Sequence, residues 1–176
     1  MKTIKVNTSE LEKVIPTLSA GDSILLSGRV YTARDAAHGK LLELIKKGDP
    51  LPFDINGAAI YYAGPTEAPE GRPIGSCGPT TSSRMDSFSP TLLDLGLLCM
   101  IGKGNRSKEV VQSIVKNKAI YLCAIGGAGA LAAKSITECE VIAFKELGCE
   151  SIKRLEFKDF PLIVGIDCKG NSAFSE

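Results

Sequence analysis

The sequence contains no C-x-x-C pair. Its six cysteines, Cys77, Cys99, Cys123, Cys139, Cys149 and Cys168, are widely spread, which argues against a zinc site or a ferredoxin-type cluster held by this chain alone. Neither sign of charge is in excess: 21 Lys plus Arg face 20 Asp plus Glu, a formal net charge of +1. A polybasic nucleic-acid or membrane partner is thereby disfavoured, while a small anionic ligand stays admissible because local charge can depart from the total. The first residues, MKTIKVNTSELEKVIPTL, lack the apolar stretch of a signal peptide, and no run approaches transmembrane length. The expected setting is a reducing cytoplasm, with most cysteines acting as small core hydrophobes. Internal repeats, low-complexity tracts and linkers are also missing. The 176 residues therefore read as one domain, 1–176, long enough to bury roughly 70% of its unfolded surface.

With 44% hydrophobic and 23% charged residues, the composition is that of a folded domain rather than a disordered chain. Apolar β-branched runs alternate with helical patterns, pointing to an α/β or α+β architecture. A helical segment is expected around Ser9 to Leu18 and a strand from Ser23 to Tyr31. Thr32, three residues before Asp35, predicts a capping box for a helix that Gly48-Asp49-Pro50 ends. Further strands are expected at 58–63, 97–101 and 119–125, with an amphipathic stretch to Leu95 and a helix carrying Val110, Val111, Ile114 and Val115 on one face. Ser151 to Phe157 and Leu162 to Asp167 read as two more strands.

Four polar loops follow these strands. In Thr32-Ala33-Arg34-Asp35-Ala36-Ala37-His38, Arg34 falls in the first helical turn, where the helix dipole disfavours a cation unless an anion is bound there. The plainer alternative is a surface arginine paired with Asp35 or another nearby acid. His38, the only histidine, has no nucleophile or metal set around it and reads as a structural hydrogen-bonding residue. The second loop, Gly78-Pro79-Thr80-Thr81-Ser82-Ser83-Arg84, offers four hydroxyls and an arginine. An N-cap accounts for one hydroxyl; the whole set fits a carboxylate- or phosphate-binding loop better. The third, Gly102-Lys103-Gly104-Asn105, leaves an ammonium accessible between glycines without matching the nucleotide P-loop pattern. The fourth, Gly127-Ala128-Gly129-Ala130-Leu131-Ala132, satisfies G-x-G-x-x-G/A. The stretch after it is too short for a dinucleotide domain, so close helix packing is expected there instead.

Taken together, Ala33-Arg34-Asp35-Ala36-Ala37-His38, Gly78-Pro79-Thr80-Thr81-Ser82-Ser83-Arg84-Met85-Asp86 and Gly102-Lys103-Gly104-Asn105-Arg106 resemble the β subunit, or C-terminal domain, of iron–sulfur-dependent class I fumarases and L(+)-tartrate dehydratases. The likeness continues through Gly126-Gly127-Ala128-Gly129-Ala130 to Asp159-Phe160-Pro161 and Ile166-Asp167, covering nearly the whole chain. It implies a swivelling β/β/α fold, a single compact three-layer domain. It also implies a [4Fe-4S] cluster held by a partner α subunit rather than by this chain, and a C4 dicarboxylate substrate bound at the junction of the two. A hetero-oligomer follows, with a homodimer as the alternative for the isolated chain.

By the same resemblance Arg34, Arg84 and Lys103 bind the substrate carboxylates and stabilise the enediolate-like charge that forms as a C–H proton leaves. Thr80 or Thr81 is the implied proton-transfer residue. A threonine hydroxyl is a very weak base unless another group takes its proton, so an acid of the partner is expected, or else the hydroxyl only orients the substrate. Gly102-Lys103-Gly104-Asn105-Arg106-Ser107 looks more like the fumarase version than the tartrate dehydratase version. The expectation is reversible hydration of fumarate to (S)-malate, with L(+)-tartrate dehydration or non-catalytic carboxylate binding as alternatives.

Overall fold

The computed structural model describes residues 2–124 and 129–174. Five strands run parallel: β1 (Thr3–Asn7), β2 (Ser23–Thr32), β3 (Ala59–Tyr61), β4 (Cys99–Gly102) and β5 (Ile120–Cys123). Two antiparallel strands, β6 (Ile136–Ala143) and β7 (Ile152–Ile166), complete the order β1-β2-β3-β4-β5-β7-β6. β7 also pairs with β2, so that β2, β3, β4, β5 and β7 close into a five-strand, barrel-like ring with β1 and β6 appended.

Closure depends on one long strand where the sequence suggests two. Asp159, at φ 48, interrupts the extended pattern of β7 opposite the irregularity between Leu26 and Gly28 of β2. The Asp159 N–H donates to Ser27 Oγ at 2.9 Å, which holds the two strands together through this bulge. A bulge of this kind bends a strand, as closing a small sheet requires. The polar edge strands β1 and β6 are the two that the apolar runs do not reveal.

Alternation divides the side chains between two cores. Ala59, Tyr61, Cys99, Ile101, Ile120 and Leu122 face the ring interior with Leu26, Val30, Phe157 and Phe160. There Phe157 and Phe160 stack at 4.3 Å, and Tyr61 meets both edge-on. α1 (Leu11–Val14) and the turn after it close this core with Leu11, Ile15 and Leu18. Ile60, Tyr62, Met100 and Tyr121 face outward under α2 (Asp35–Lys47), α3 (Ser89–Asp94) and α4 (Lys108–Asn117). The α/β expectation thus holds in its coarser form, a mixed sheet with helices along one outer face. A short α5 (Gly129–Ala133) follows β5. No helix among the described residues is long and apolar enough to cross a membrane.

α2 ends as its sequence predicts, with Gly48 left-handed at φ 72 and the Gly48 and Asp49 N–H groups capping Ile45 and Leu44 carbonyls. Its start does not. The N-cap is Arg34, with no side-chain cap, and Thr32 is buried in β2, where its Oγ1 accepts from the Lys153 N–H at 3.0 Å. The predicted capping box therefore fails: Thr32 joins the end of β2 to the start of β7 instead.

Candidate functional site

Strands β2 to β5 are adjacent and parallel, so their C-terminal ends share one edge of the ring, where α/β proteins bind ligands. β2 delivers Arg34 and Asp35, and β4 delivers Lys103. Thr80 and Thr81 are threaded in beside the end of β3: the Thr80 N–H donates to the Tyr62 carbonyl at 2.7 Å, and Thr81 forms a parallel bridge with Lys103. The Ser82 N–H continues that bridge to the Lys103 carbonyl at 2.9 Å. One turn of 3-10 helix, Ser82–Met85, then presents Arg84 beside α2.

Thr80, Thr81, Arg84 and Lys103 are linked through this scaffold, and Arg34 joins them through its chain neighbour Asp35. Arg84 Nε donates to Asp35 Oδ2 at 2.9 Å, and its backbone N–H reaches the Thr81 carbonyl at 3.4 Å. Arg34 Nε lies 3.9 Å from Glu150 Oε1, beyond hydrogen-bond reach, and is buried without an acceptor among the described residues. The carboxylate beside Arg34 is thus Glu150, while Asp35, its neighbour in the chain, pairs with Arg84 instead. Among the described residues Arg84 engages a carboxylate through Nε alone, leaving both terminal nitrogens for a ligand. Lys103 makes no ion pair among the described residues. Thr80 is half-buried and Thr81 exposed.

Beneath them is a buried polar layer that residue types alone do not assign. Arg106 has a fully buried side chain whose Nε donates to Asp86 Oδ1 at 2.7 Å and whose terminal nitrogen donates to Ser89 Oγ at 2.9 Å. Its guanidinium also packs over the Tyr62 and Tyr121 rings. Asp86 Oδ2 accepts the Ser107 N–H at 2.8 Å, so one carboxylate ties the Arg84 turn to the Lys103 loop. Tyr121 Oη lies 2.7 Å from the Gly104 carbonyl and 2.8 Å from Ser82 Oγ. The carbonyl can only accept, so the tyrosine donates there and Ser82 donates to the tyrosine. A Cβ on Gly102 would come within 1.9 Å of Ser82 Oγ, which explains the first glycine of Gly-Lys-Gly as a close approach. The sequence signal for this layer is the Asp86 and Arg106 pair standing inside two motifs whose exposed members draw the attention.

His38 is fully buried, and its N–H and Nδ1 both meet the Arg34 carbonyl, at 2.9 and 2.8 Å. The carbonyl requires the proton on Nδ1, which leaves Nε2 a bare acceptor, and burial lowers the imidazole pKa to about 4. His38 is therefore a neutral brace for Arg34, the structural role expected of it.

The fourth polar loop falls partly outside the described residues, which exclude Gly126, Gly127 and Ala128. Gly129, in its middle, packs against the start of the second loop: its carbonyl accepts the Cys77 N–H at 3.1 Å, and a Cβ there would approach Ser76 Oγ to 2.3 Å. The close packing at this glycine is against that loop rather than against the sheet, where the sequence reading places it. All six cysteines are free, with Cys77 and Cys99 buried and the Cys77 thiol pushed up to about 12 by burial. A thiol so strongly held protonated is a poor cluster ligand. No three His, Cys, Asp or Glu side chains converge among the described residues, so these donors do not fit an iron–sulfur cluster within this chain.

The chain is similar to several named proteins. The chain is 42% identical over 175 residues to "Fumarate hydratase 2" of Leishmania major and 46% identical over 153 residues to "Fumarate hydratase class I, anaerobic" of Escherichia coli (strain K12). These matches cover 94% and 86% of the chain but only 30% and 28% of the relatives, so the chain spans less than a third of their length. It is 39% identical over 171 residues to the "Putative L(+)-tartrate dehydratase subunit beta" of Methanocaldococcus jannaschii, covering 94% of the chain and 88% of that protein. The family model for the fumarase C-terminus matches residues 1–176, and the chain belongs to that family.

Proposed function

We propose that the chain is the β subunit of a hydro-lyase that reversibly hydrates fumarate to (S)-malate, with residues 1–176 acting as one domain. The observation that carries this reading is the gathering of Arg34, Arg84 and Lys103 with Thr80 and Thr81 at one edge of the closed sheet. Three cations at one sheet edge match a dianion, whereas the chain as a whole is nearly neutral. On this reading the ring flattens into two β layers under one helical layer, the swivelling β/β/α arrangement.

In the reaction, Arg34 and Arg84 hold the two carboxylates, and Lys103 adds the third positive charge. The same groups stabilise the enediolate-like charge that develops when the C–H proton leaves malate. Thr80 or Thr81 stands where that proton is handled, with a partner acid taking it onward because the hydroxyl alone is too weak a base. The [4Fe-4S] cluster belongs to the α subunit, consistent with cysteines that suit no cluster here. The near full-length match to a separately encoded β subunit supports a hetero-oligomer and leaves L(+)-tartrate as the second candidate substrate. The cytoplasm is the compartment proposed for the pair.

Co-expression with the cluster-bearing α subunit, followed by anaerobic assay, tests this. Interconversion of malate and fumarate is expected, with slower turnover of L(+)-tartrate. A pair inactive on every C4 dicarboxylate overturns the enzyme reading, and a preference for tartrate transfers the assignment to the second substrate.

A further inference from the structure

Lys153, the second residue of β7, belongs to none of the four polar loops, yet its ammonium is buried. It makes no ion pair with any carboxylate among the described residues. A buried charge without a counter-ion is strongly disfavoured unless oxygen dipoles surround it. Here they do: Nζ donates to Ser151 Oγ at 2.8 Å and to the Cys149 carbonyl at 3.0 Å, with the Ser151 and Gly148 carbonyls at 3.3 and 3.4 Å. All four oxygens lie in the turn that precedes β7.

That turn is the end of an interrupted 3-10 segment. Gly148, at φ 62 and ψ −122, breaks the 3-10 geometry of Lys145–Glu150. Its far end is fastened to α2 by Lys40 Nζ on Glu146 Oε1 at 2.7 Å, a half-exposed contact. Its near end is fastened from inside by the four Lys153 contacts, together with the Ser151 N–H on the Gly148 carbonyl at 3.0 Å and Thr32 Oγ1 on the Ser151 carbonyl at 3.4 Å.

The same turn is one wall of the Arg34 slot. A Cβ placed on Gly64 would sit 3.2 Å from Arg34 Cδ, from an Arg34 terminal nitrogen and from the Cys149 carbonyl, so these groups converge on one point. Glu150, next in the turn, is the carboxylate nearest Arg34 Nε. The backbone of Lys153 secures the other wall, its N–H donating to Thr32 Oγ1 two residues before Arg34. One residue thus grips the strand end that emits Arg34 and the turn that encloses it.

We infer that Lys153 is a positioning residue for Arg34, fixing the guanidinium through the Gly148–Ser151 turn so that it meets a substrate carboxylate. The inference rests on the proposed dicarboxylate site only for its catalytic consequence; the placement of Arg34 is testable without activity. Removing the ammonium frees the turn and lets the Arg34 side chain leave its slot. Arg84, held through its own Nε by the Asp35 carboxylate at 2.9 Å rather than by this turn, is expected to keep its place.

The test uses the full chain with phenylglyoxal, which modifies accessible arginines, followed by peptide mass spectrometry. In Lys153→Met, Arg34 is expected to react about fivefold faster than in the native chain, with Arg84 unchanged. Lys153→Arg, which retains a donor-rich cation, is expected to restore much of the protection. An unchanged Arg34 rate in a folded Lys153→Met chain overturns the inference. Should that variant fail to fold, Ser151→Ala, which removes the shortest of the four contacts, decides by the same measure. In the assembled αβ enzyme Lys153→Met is expected to lower kcat/KM for the dicarboxylate about tenfold, with Lys153→Arg recovering much of it. An unchanged kcat/KM in Lys153→Met also overturns it. If the native pair has no activity, the proposed function fails while the Arg34 modification rates still decide the role of Lys153.

Discussion

Asp86 accepts from Arg106 Nε at 2.7 Å with one carboxylate oxygen and from the Ser107 N–H at 2.8 Å with the other. The Arg106 side chain is wholly inaccessible and that of Asp86 nearly so, at 14%. This pair, rather than the exposed cations above it, sets the spacing between the Arg84 turn and the Lys103 loop. Breaking it strands a charge in the interior. Asp86→Asn or Arg106→Met is expected to lower stability by about 3–5 kcal/mol, read by urea unfolding. A loss within ordinary surface variation would remove the pair from its organising role.

Arg84 contrasts with Arg106. Its pairing with Asp35 is half-exposed, with 52% of the Arg84 side chain accessible, and such pairs contribute little. Arg84→Ala is expected to change stability by less than about 1 kcal/mol while leaving assembly with the partner intact. Turnover should nevertheless fall by about a hundredfold or more, as when a donor to developing negative charge is removed. Native-like kcat/KM in that variant would take Arg84 out of the site.

The buried imidazole gives stability a specific pH dependence. His38 titrates near 4 in the folded chain and near 6.5 when unfolded, so the unfolded state binds more protons between those values. Stability is therefore full above about pH 6.5 and declines as the pH falls toward 4, by roughly 3 kcal/mol at the acid end. His38→Phe removes the titrating group and should flatten this limb relative to the native chain, in unfolding curves taken across the window. An equally steep limb in the variant would assign it to other groups.

Thr80 and Thr81 are adjacent but differently held, one half-buried with its N–H on Tyr62 and the other exposed beside Lys103. Only one hydroxyl can lie in the proton path. In the assembled enzyme, Thr80→Ala and Thr81→Ala are expected to separate, one losing exchange of the substrate C–H proton with solvent and the other mainly raising KM. Exchange surviving in both variants would confine the two hydroxyls to orienting the substrate.

The loops at the strand ends were legible because they combine turn formers with functional groups in short runs, as in Gly78 to Arg84 and Gly102 to Asn105. Gly48 as a helix terminator was legible for the same local reason. What escaped reading depends on partners far away in the chain. Thr32 three residues before Asp35 has the form of a cap, but a tertiary hydrogen bond to Lys153 outcompetes that local role. Asp159-Phe160-Pro161 looks like a strand break, yet β2 carries a matching irregularity that lets β7 run through it. Arg106 has no role of its own in the sequence, standing only at the end of its motif, until the packing sets its guanidinium against two tyrosine rings.

Closure of the ring by β7 has a kinetic side. Thr32 and Lys153, which meet where β2 joins β7, are 121 positions apart, and the antiparallel register continues from there to Ser23 and Ile163. The loop-closure entropy of that pairing must be met before its hydrogen bonds form, so folding is slow and dominated by long-range contacts. During synthesis β2, β3 and β4, which carry the site, leave the ribosome before the strand that clamps them. The long edge of β2 stays unpaired for that interval, the stage at which the chain is most exposed to aggregation.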